Sequence, residues 1–318
     1  MNKFVCLNKK EVRQLVTVRD ARLLMAHILR HNKDGARLSN PPRMVLSLNN
    51  DCADTYQIRA GYVKEIEKVG LRIGNLNNSD ARYVLLIDAK SSQPLGLVNE
   101  SETFKLRVGG TVANIIESLA KKDGSVVALI GAGKVARSVC LAIDELGVLK
   151  EVRVFDKYDE VKNSFVKDLK RKTQLKITPS LSVQEGVENA DVVITVTTAN
   201  EPLVERRWVK KGCLAISLGG GQELESQLVC EADKIVIDDM ELCKSIGDIA
   251  YLIGHGLMAE HQIYGNLYEI FEGIKKGREN DSEIIVVVSQ GIIAGDIALI
   301  NFVYEQAVKR GFGKTGRL

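Results

Sequence analysis

At 318 residues, with 45% hydrophobic and 27% charged side chains, the chain can bury a large core and exceeds the usual size of one domain. Lys and Arg number 44 against 41 Asp and Glu, so a net charge of +3 provides no basic stripe for a nucleic-acid backbone, and that class of function is set aside. No apolar run approaches membrane-spanning length, and the opening MNKFVCLNKKEVRQL lacks the continuous apolar stretch of a secretion signal.

In chain order, a helical run spans about Asp20 to Arg30 and a break falls at Pro41 and Pro42. RYVLLID, AKSSQP and LGLV then read as strand, turn and strand, with Gln93 and Pro94 in the turn. This describes an α+β module built around antiparallel strands. The helix TVANIIESLAKKDG, closing at Asp123 and Gly124, is expected to carry the domain boundary. From about Val126 to Val288 short β-branched runs alternate with helical segments: VVALI, EVRVFD, DVVITVT, CLAISL, KIVIDD and EIIVVV. Several lack polar alternation, as strands buried on both faces of a parallel sheet do, so a Rossmann-type doubly wound α/β domain is predicted. After Val288, SQGIIAGDIALINFVYEQAVKRG reads as one amphipathic helix with Ile293, Ile297, Ile300, Val303 and Tyr304 near one face, returning to the first domain. The expected division is residues 1–120 with 296–318, and residues 121–295.

The stretch VVALIGAGKVA carries the clearest chemistry. Gly131 permits a tight turn out of a buried strand, Gly133 lets backbone approach a pyrophosphate, and Ala136 keeps helix against strand. The first helical turn then offers free N–H groups and the positive end of its dipole to that anion. Asp156, in EVRVFD, lies 25 residues after Gly131, near the spacing of a ribose-binding acid. It would accept from the ribose hydroxyls and repel a 2′-phosphate, so NAD is expected ahead of NADP, with Lys157 beside it softening that repulsion. Thr195, Thr197 and Thr198 end the next strand, where ligands bind in such sheets, although threonine also suits strands by propensity alone.

Taken together, NPPR at 40–43, LLIDAKSSQPLGLVNESETFKLR at 85–107, IGAGKVA at 130–136, ADKIVIDD at 232–239 and GRENDSEIIVVVSQGIIAGDIA at 277–298 resemble the ornithine cyclodeaminase and mu-crystallin family of NAD(P)-dependent proteins. The likeness runs in order through nearly the full chain. It implies a homodimer whose first domain binds an amino or imino acid and forms the subunit interface, facing a nicotinamide held by the second. By the same resemblance Arg43 and Arg107 match arginines that hold the substrate carboxylate, a task for which a guanidinium fork is suited. Without it, both would read as solvated charges. The cofactor contacts expected are Thr103, Gly131, Ala132, Gly133, Lys134, Val135, Asp156, Lys157, Thr195, Val196, Thr197 and Gly291.

Two departures from the family pattern matter. Where the family usually has a lysine near the substrate, VGLRIGN supplies Arg72, which keeps the charge but does not readily become a neutral base. Arg72 and Arg107 are therefore the expected catalytic side chains, Arg72 orienting the imino group or a second carboxylate. In the loop after CLAISL, cyclodeaminases carry an Asp followed four residues later by a Lys, and GGGQELESQ has neither. Ornithine cyclisation is disfavoured accordingly. Glu223 and Glu225 are the nearest acids and read as a solvated helix start. The segments VITVTTANEPLVERRWVKKGCLAISL and ADKIVIDDMELC also resemble a branch found in siderophore and antibiotic pathways. That branch oxidises an amino-acid adduct of glutamate with NAD, giving 2-oxoglutarate and 2,3-diaminopropionate.

The remaining polar groups suggest less. Cysteines at 6, 52, 140, 213, 230 and 243 form no C-x-x-C pair and have no nearby histidine to complete a zinc set; buried thiols in a reducing compartment, hence a cytosolic protein, are expected. His255 and His261 lie off one helical face and read as solvated or capping residues, RRWVKK at 206–211 as a solvated helix end. Asp296 matches a family Asp near the nicotinamide, with a helix N-cap as an equal reading. The leading expectation is an NAD-dependent oxidoreductase of amino or imino acids, acting on a small molecule as a homodimer, without metal, nucleic acid or membrane. The alternatives are the adduct-oxidising enzyme and a nicotinamide-dependent small-ligand binding protein of mu-crystallin type.

Overall fold

The computed structural model describes residues 4–30, 38–39, 43–48, 55–76 and 78–316. Cys52 and the first three residues of NPPR lie outside these, while Arg43 lies within. The chain opens with strand β1 (Phe4–Leu7) and helix α1 (Lys9–Leu15), whose start is fixed by a capping box between Asn8 and Glu11. Helix α2 (Val18–Arg30) begins where Thr17 and Asp20 exchange hydrogen bonds, and it buries Ala21, Met25, Ala26, Ile28 and Leu29. Strands β2 (Leu38–Ser39), β3 (Met44–Ser47), β4 (Thr55–Val63), β5 (Lys68–Asn75), β6 (Arg82–Asp88) and β7 (Pro94–Asn99) follow. The order is β1-β7-β6-β5-β4, antiparallel except between β1 and β7, with β2 and β3 both on the far side of β4. The predicted strand RYVLLID is β6, and AKSSQP turns it into β7.

Register sorts the side chains of this sheet. Arg59, Arg72, Val84 and Val98 form one row across it and are buried, whereas Ala60, Leu71, Leu85 and Leu97 form a row on the opposite face. On that second face Leu71, Ile73, Tyr83 and Leu97 are exposed. The outer face is thus apolar, while the inner one sets arginines among valines and leucines. Helix α3 (Ser101–Leu119) starts earlier than TVANIIESLAKKDG suggests, because Ser101, Asn99 and Glu100 tie its first turn to the end of β7.

The next part builds the second sheet. Strands β8 (Val126–Ile130), β9 (Glu151–Phe155), β10 (Lys176–Pro179), β11 (Val192–Thr195), β12 (Leu214–Ser217), β13 (Lys234–Ile237), β14 (Gly265–Asn266) and β15 (Ile285–Val288) are all parallel in the order β10-β9-β8-β11-β12-β15-β13-β14. Helices α4 (Lys134–Asp144), α5 (Asp159–Leu169), α6 (Val183–Val187), α7 (Ser226–Cys230), α8 (Met240–Cys243), α9 (Gly247–Gly254) and α10 (Leu267–Phe271) intervene. Every residue of β11, β12, β13 and β15 is buried, including Thr195, Ser217 and Lys234, as expected of central parallel strands. The order reverses between β8 and β11, the switch point where α/β sheets bind ligands.

Helix α11 (Ile293–Arg310) and strand β16 (Lys314–Gly316) return to the first sheet, β16 pairing with β1. An amphipathic helix was the expectation, yet every residue from Ile293 to Asn301 is buried. Gly70 explains part of this: a Cβ there would stand 2.5 Å from a side-chain carbon of Ile297, so β5 is shaved to receive the helix. Ile293, Ile297, Ile300 and Val303 join Val5, Leu15, Met25, Val84 and Leu86 in one core. By contacts the chain divides into Met1–Arg107 with Ile292–Leu318, and Val108–Gly291. The first division falls within α3 rather than after residue 120, because α3 has partners in both units: Phe104 and Arg107 in the first, Gly109 against Ser138 in the second. The second falls at the start of α11, ahead of residue 296.

Candidate active site

The turn after β8 is shaped by glycine. Gly131 has φ +103°, and a Cβ on it would lie 2.5 Å from the carbonyl oxygen of Val196. Gly133 caps α4 in an extended conformation, no side chain caps the helix, and a Cβ there would meet nothing within 4 Å. The two glycines therefore serve different ends: the first permits backbone packing, the second leaves an open approach to an uncapped helix start. Lys134 is exposed and Val135 half-buried at that start, while Ala132 and Ala136 are buried. Arg137 braces the turn, donating to the carbonyls of Ala132 and Gly133 at 2.6 and 3.2 Å.

Asp156 stands just beyond β9, accepting from Ala132 N at 2.8 Å and Tyr158 N at 3.0 Å. Each of its oxygens keeps a further lone pair for a hydroxyl donor. The Nζ of Lys157 sits 4.9 Å from the Tyr158 ring centroid. An open glycine turn, an uncapped helix and an acid at the end of the neighbouring strand fit a dinucleotide.

Behind the turn lies a network the sequence did not disclose. Glu223, read as a solvated helix-start residue, is fully buried. Its carboxylate accepts from Thr195 Oγ1, Thr197 N and Thr197 Oγ1, each at 2.7 Å, from Gly219 N at 2.8 Å and from Ser217 Oγ at 3.2 Å. Five donors from the ends of β11 and β12 replace the water such a charge would otherwise require. Asp248 lies against it, accepting from Ser217 Oγ at 2.5 Å and from Glu223 N and Leu224 N at 2.9 and 2.8 Å. Burial pushes the Asp248 carboxyl up to about 6, its hydrogen bonds resisting and Glu223 reinforcing the shift. Thr195 and Thr197 thus point their hydroxyls into Glu223. Val196 is half-buried, its N–H donating to Ile130 O. Gly291, φ +88°, donates to Asp238. Thr103 donates to Glu100 O within the first turn of α3.

Glu225 directly precedes α7 and accepts from Arg206 N, and RRWVKK forms a 3-10 turn, Arg206–Trp208, followed by buried Val209 and by Lys210 paired with Asp191. It is not a solvated helix end, because its apolar residues seal one edge of the core. His255 follows α9, with Nδ1 2.8 Å from Tyr251 O, and His261 is exposed. Cys140, Cys213 and Cys243 are buried, the first two pushed up to about 12 by desolvation, but Cys6 and Cys230 are exposed.

The first unit holds a second cluster. Arg72 pairs with Glu100 and donates to Asp296 at 3.4 Å, and Asp296 also forms an ion pair with Arg107, Oδ1 to Nε 2.7 Å. Asp296 sits in the first turn of α11 rather than at its N-cap, which is Ile292, and it faces two guanidiniums instead of backbone. Burial raises the Glu100 carboxyl against the pull of Arg72. Burial lowers Arg72, but Glu100 and Asp296 outweigh it and hold the guanidinium above its ordinary value. Phe104 gathers the guanidiniums of Arg72, Arg82 and Arg107 at 5.2, 4.3 and 5.3 Å from its ring centroid. Arg82 was not anticipated. The signal for it was the alternation of β6, in which Arg82, Val84 and Leu86 share the inner face. Arg43 is half-buried, and desolvation lowers its guanidinium.

With both clusters in view, the class is that of two-unit α/β proteins with a dinucleotide-type turn and a buried arginine cluster. The ornithine cyclodeaminase/mu-crystallin family profile matches residues 2–311, and the chain belongs to that family. It is 25% identical to a Delta(1)-pyrroline-2-carboxylate reductase of Bacillus cereus over 97% of this chain and 98% of that one. It is 29% identical to an alanine dehydrogenase of Archaeoglobus fulgidus, over 72% of this chain and 71% of that one. The structure of the Thermococcus litoralis Delta(1)-pyrroline-2-carboxylate reductase in complex with NADH and L-proline superposes with a TM-score of 0.91, at 26% identity, covering 98% of this chain and 99% of that one.

Proposed function

We propose that the protein is an NAD-dependent oxidoreductase that moves a hydride between C4 of the nicotinamide and the α-carbon of a small amino or imino acid. The observation that carries this reading is the open turn at Gly133 before an uncapped helix, with Asp156 on the adjoining strand end. The relatives named above work on a cyclic imino acid and on alanine, and one is solved with NADH and L-proline, which supports both cofactor and substrate class. Bound NAD supplies the redox chemistry, accepting or giving the hydride.

The chain's own residues do the binding and orienting. Gly131 and Gly133 admit the pyrophosphate to the backbone N–H groups of α4, flanked by Ala132, Lys134 and Val135. Asp156 takes the ribose hydroxyls, and its charge selects against a 2′-phosphate. Glu223 holds Thr195 and Thr197 at the strand ends, with Val196 between them. Gly291 completes the proposed cofactor set within the second unit. In the first unit Arg43, Arg72 and Arg107 provide the cationic ground for a carboxylate, Arg72 and Arg107 being fixed by Glu100 and Asp296. A homodimer belongs to this reading: an exposed apolar sheet face built from Leu71, Ile73, Tyr83 and Leu97 suits a second copy. A cytosolic location also belongs to it, resting on thiols that, among the described residues, are free.

The test is to incubate the protein with NAD or NADH and a panel of amino acids, imino acids and glutamate adducts, following nicotinamide absorbance and identifying products by mass spectrometry. A 2-oxo acid or imine from one amino acid supports the proposal. Release of 2-oxoglutarate with 2,3-diaminopropionate would move the assignment to adduct oxidation. Cofactor binding without turnover in either direction would refute the enzyme and leave a binding protein.

A further inference from the structure

At the carboxyl ends of the second sheet two carboxyl groups are buried side by side with one hydroxyl between them. Glu223, Asp248 and Ser217 are all fully buried, and Ser217 Oγ lies 3.2 Å from a Glu223 oxygen and 2.5 Å from an Asp248 oxygen. A hydroxyl has one proton and serves one of the two at a time. Glu223 keeps four other donors, Thr195 Oγ1, Thr197 N, Thr197 Oγ1 and Gly219 N. Asp248 keeps two, the N–H groups of Glu223 and Leu224, and both reach the same oxygen. If both groups are ionised and Ser217 donates to Asp248, a Glu223 oxygen faces a hydroxyl lone pair. If Ser217 donates to Glu223, the second Asp248 oxygen has no donor among the described residues. One added proton removes the conflict: Asp248 donates to Ser217, and Ser217 donates to Glu223. The rise of the Asp248 carboxyl to about 6, caused first by burial, agrees with that count.

From β12 and the loop after it, the charged group that faces Asp248 is Glu223. Helix α8 and the end of β13 bring Asp238, Asp239 and Cys243, but Asp238 accepts from Ser289 Oγ and Gly291 N, Asp239 accepts from Leu242 N, and the Cys243 thiol donates to Asp238. Glu241 and Lys244 pair with each other at 2.9 Å, and β15 brings no titratable side chain. On α9 itself Tyr251 and His255 stack on each other, with ring centroids 4.1 Å apart. The two buried carboxyl groups hold what the glycine turn rests on. Glu223 fixes Thr195 and Thr197, and a Cβ on Gly131 would stand 2.5 Å from Val196 O and 3.1 Å from Thr197 Cγ2, so the turn packs directly on this segment. Asp248 fixes the loop after β12 through the N–H groups of Glu223 and Leu224, and Gly220 O in that loop accepts from Gly247 N at 2.9 Å.

We propose that Asp248 is a positioning residue for the cofactor: protonated, it turns the Ser217 hydroxyl onto Glu223 and locks Thr195 to Thr197 under the glycine turn, so that NAD binds with uptake of a proton. The inference rests on the dinucleotide reading and adds a proton to it. Its sign follows from linkage. If the cofactor-bound form holds the Asp248 proton more tightly than the free form, affinity is highest at low pH and falls as pH rises through the carboxyl's value in the free protein. The negative charge of the cofactor's pyrophosphate acts in the same direction, since an ionised Asp248 adds a like charge to the site.

The experiment measures NAD binding by calorimetry, without turnover, on wild type and Asp248→Asn at constant ionic strength between about pH 5.5 and about pH 7.5. Wild type should weaken about three- to tenfold across that range, within the limit of about tenfold per pH unit for one linked proton. The asparagine amide donates to Ser217 as the protonated acid does. Asp248→Asn should therefore match wild type within about twofold at the acid end and bind about three- to tenfold more tightly at the alkaline end. Groups that titrate in both proteins cancel in the ratio of their affinities. Wild type alone, titrated in buffers of different ionisation enthalpy, should take up protons as NAD binds, and Asp248→Asn should take up fewer. A ratio of affinities that stays constant with pH, or equal proton uptake by the two proteins, overturns the proposal and makes Asp248 a structural acid while the dinucleotide reading stands. Failure of both proteins to bind NAD at any pH overturns that reading and this one together.

Discussion

Replacing Asp248 by asparagine tests the electrostatics of the buried network. Asp248 is fully buried, and its carboxyl is pushed from 3.8 to about 6. Because the folded state holds this proton more tightly than the unfolded chain, the group's favourable contribution is complete below about pH 3.8 and is lost as pH rises through about 6. A shift of about two units corresponds to about 3 kcal/mol of stability lost across that window. The asparagine side chain would keep the acceptor for the N–H groups of Glu223 and Leu224. Its amide would donate to Ser217 Oγ, whose hydroxyl then turns fully to Glu223. Asp248→Asn should therefore gain on wild type by about 2 to 3 kcal/mol between pH 4 and pH 7.5. Urea unfolding read from Trp208, the single tryptophan, reports on this unit because that ring packs against its core. A difference between the two proteins that stays constant with pH would refute the reasoning.

Three further outcomes follow. Glu223→Gln turns an amide into a nest of five donors; it should lower stability by about 2 to 4 kcal/mol and weaken NAD, seen by calorimetry and thermal melting. An unchanged melting curve would count against the network. Asp156→Ser should weaken NAD about tenfold while leaving NADP nearly unaffected, measured as dissociation constants for both, since it removes both the ribose acceptor and the charge opposing a 2′-phosphate. Leu71→Glu, on the exposed face of β5, should yield a folded monomer by light scattering, whereas a persisting dimer would place the interface elsewhere.

How much was legible in the sequence depended on the range of the interaction that fixes each feature. The turn at Gly131 and Gly133, six of the parallel strands (β8, β9, β11, β12, β13 and β15) and β6 were readable because local periodicity and a short motif determine them, whereas the short edge strands β10 and β14 were not. Strands β1, β4 and β5 were not singled out; in β5 the small residues Gly70 and Gly74 interrupt the apolar signal, for reasons found only across the sheet. Glu223 looked like any charged residue near a helix start, because its five donors come from two strand ends and a loop. Asp296 and Arg72 are 224 positions apart, and nothing short of the fold reveals that they meet. Arg43, Arg72 and Arg107 could be proposed only through the resemblance, and the ties of Arg72 and Arg107 to Glu100 and Asp296 emerged only from the coordinates.

The burial of the first half of α11, Ile293 to Asn301, on every side has a consequence for the order of events during synthesis. The core of the first unit takes Ile293, Ile297, Ile300 and Val303 from a helix synthesised after the whole second unit, which is one continuous stretch, Val108–Gly291. At roughly 5–20 residues per second, residues 1–107 wait on the order of ten seconds or more for the helix that completes their core. Throughout that interval β4, β5 and β6 present apolar side chains on both faces with no cover. The nascent chain is thus most open to chaperones, and to premature strand pairing, while the parallel-sheet unit is already closing behind it.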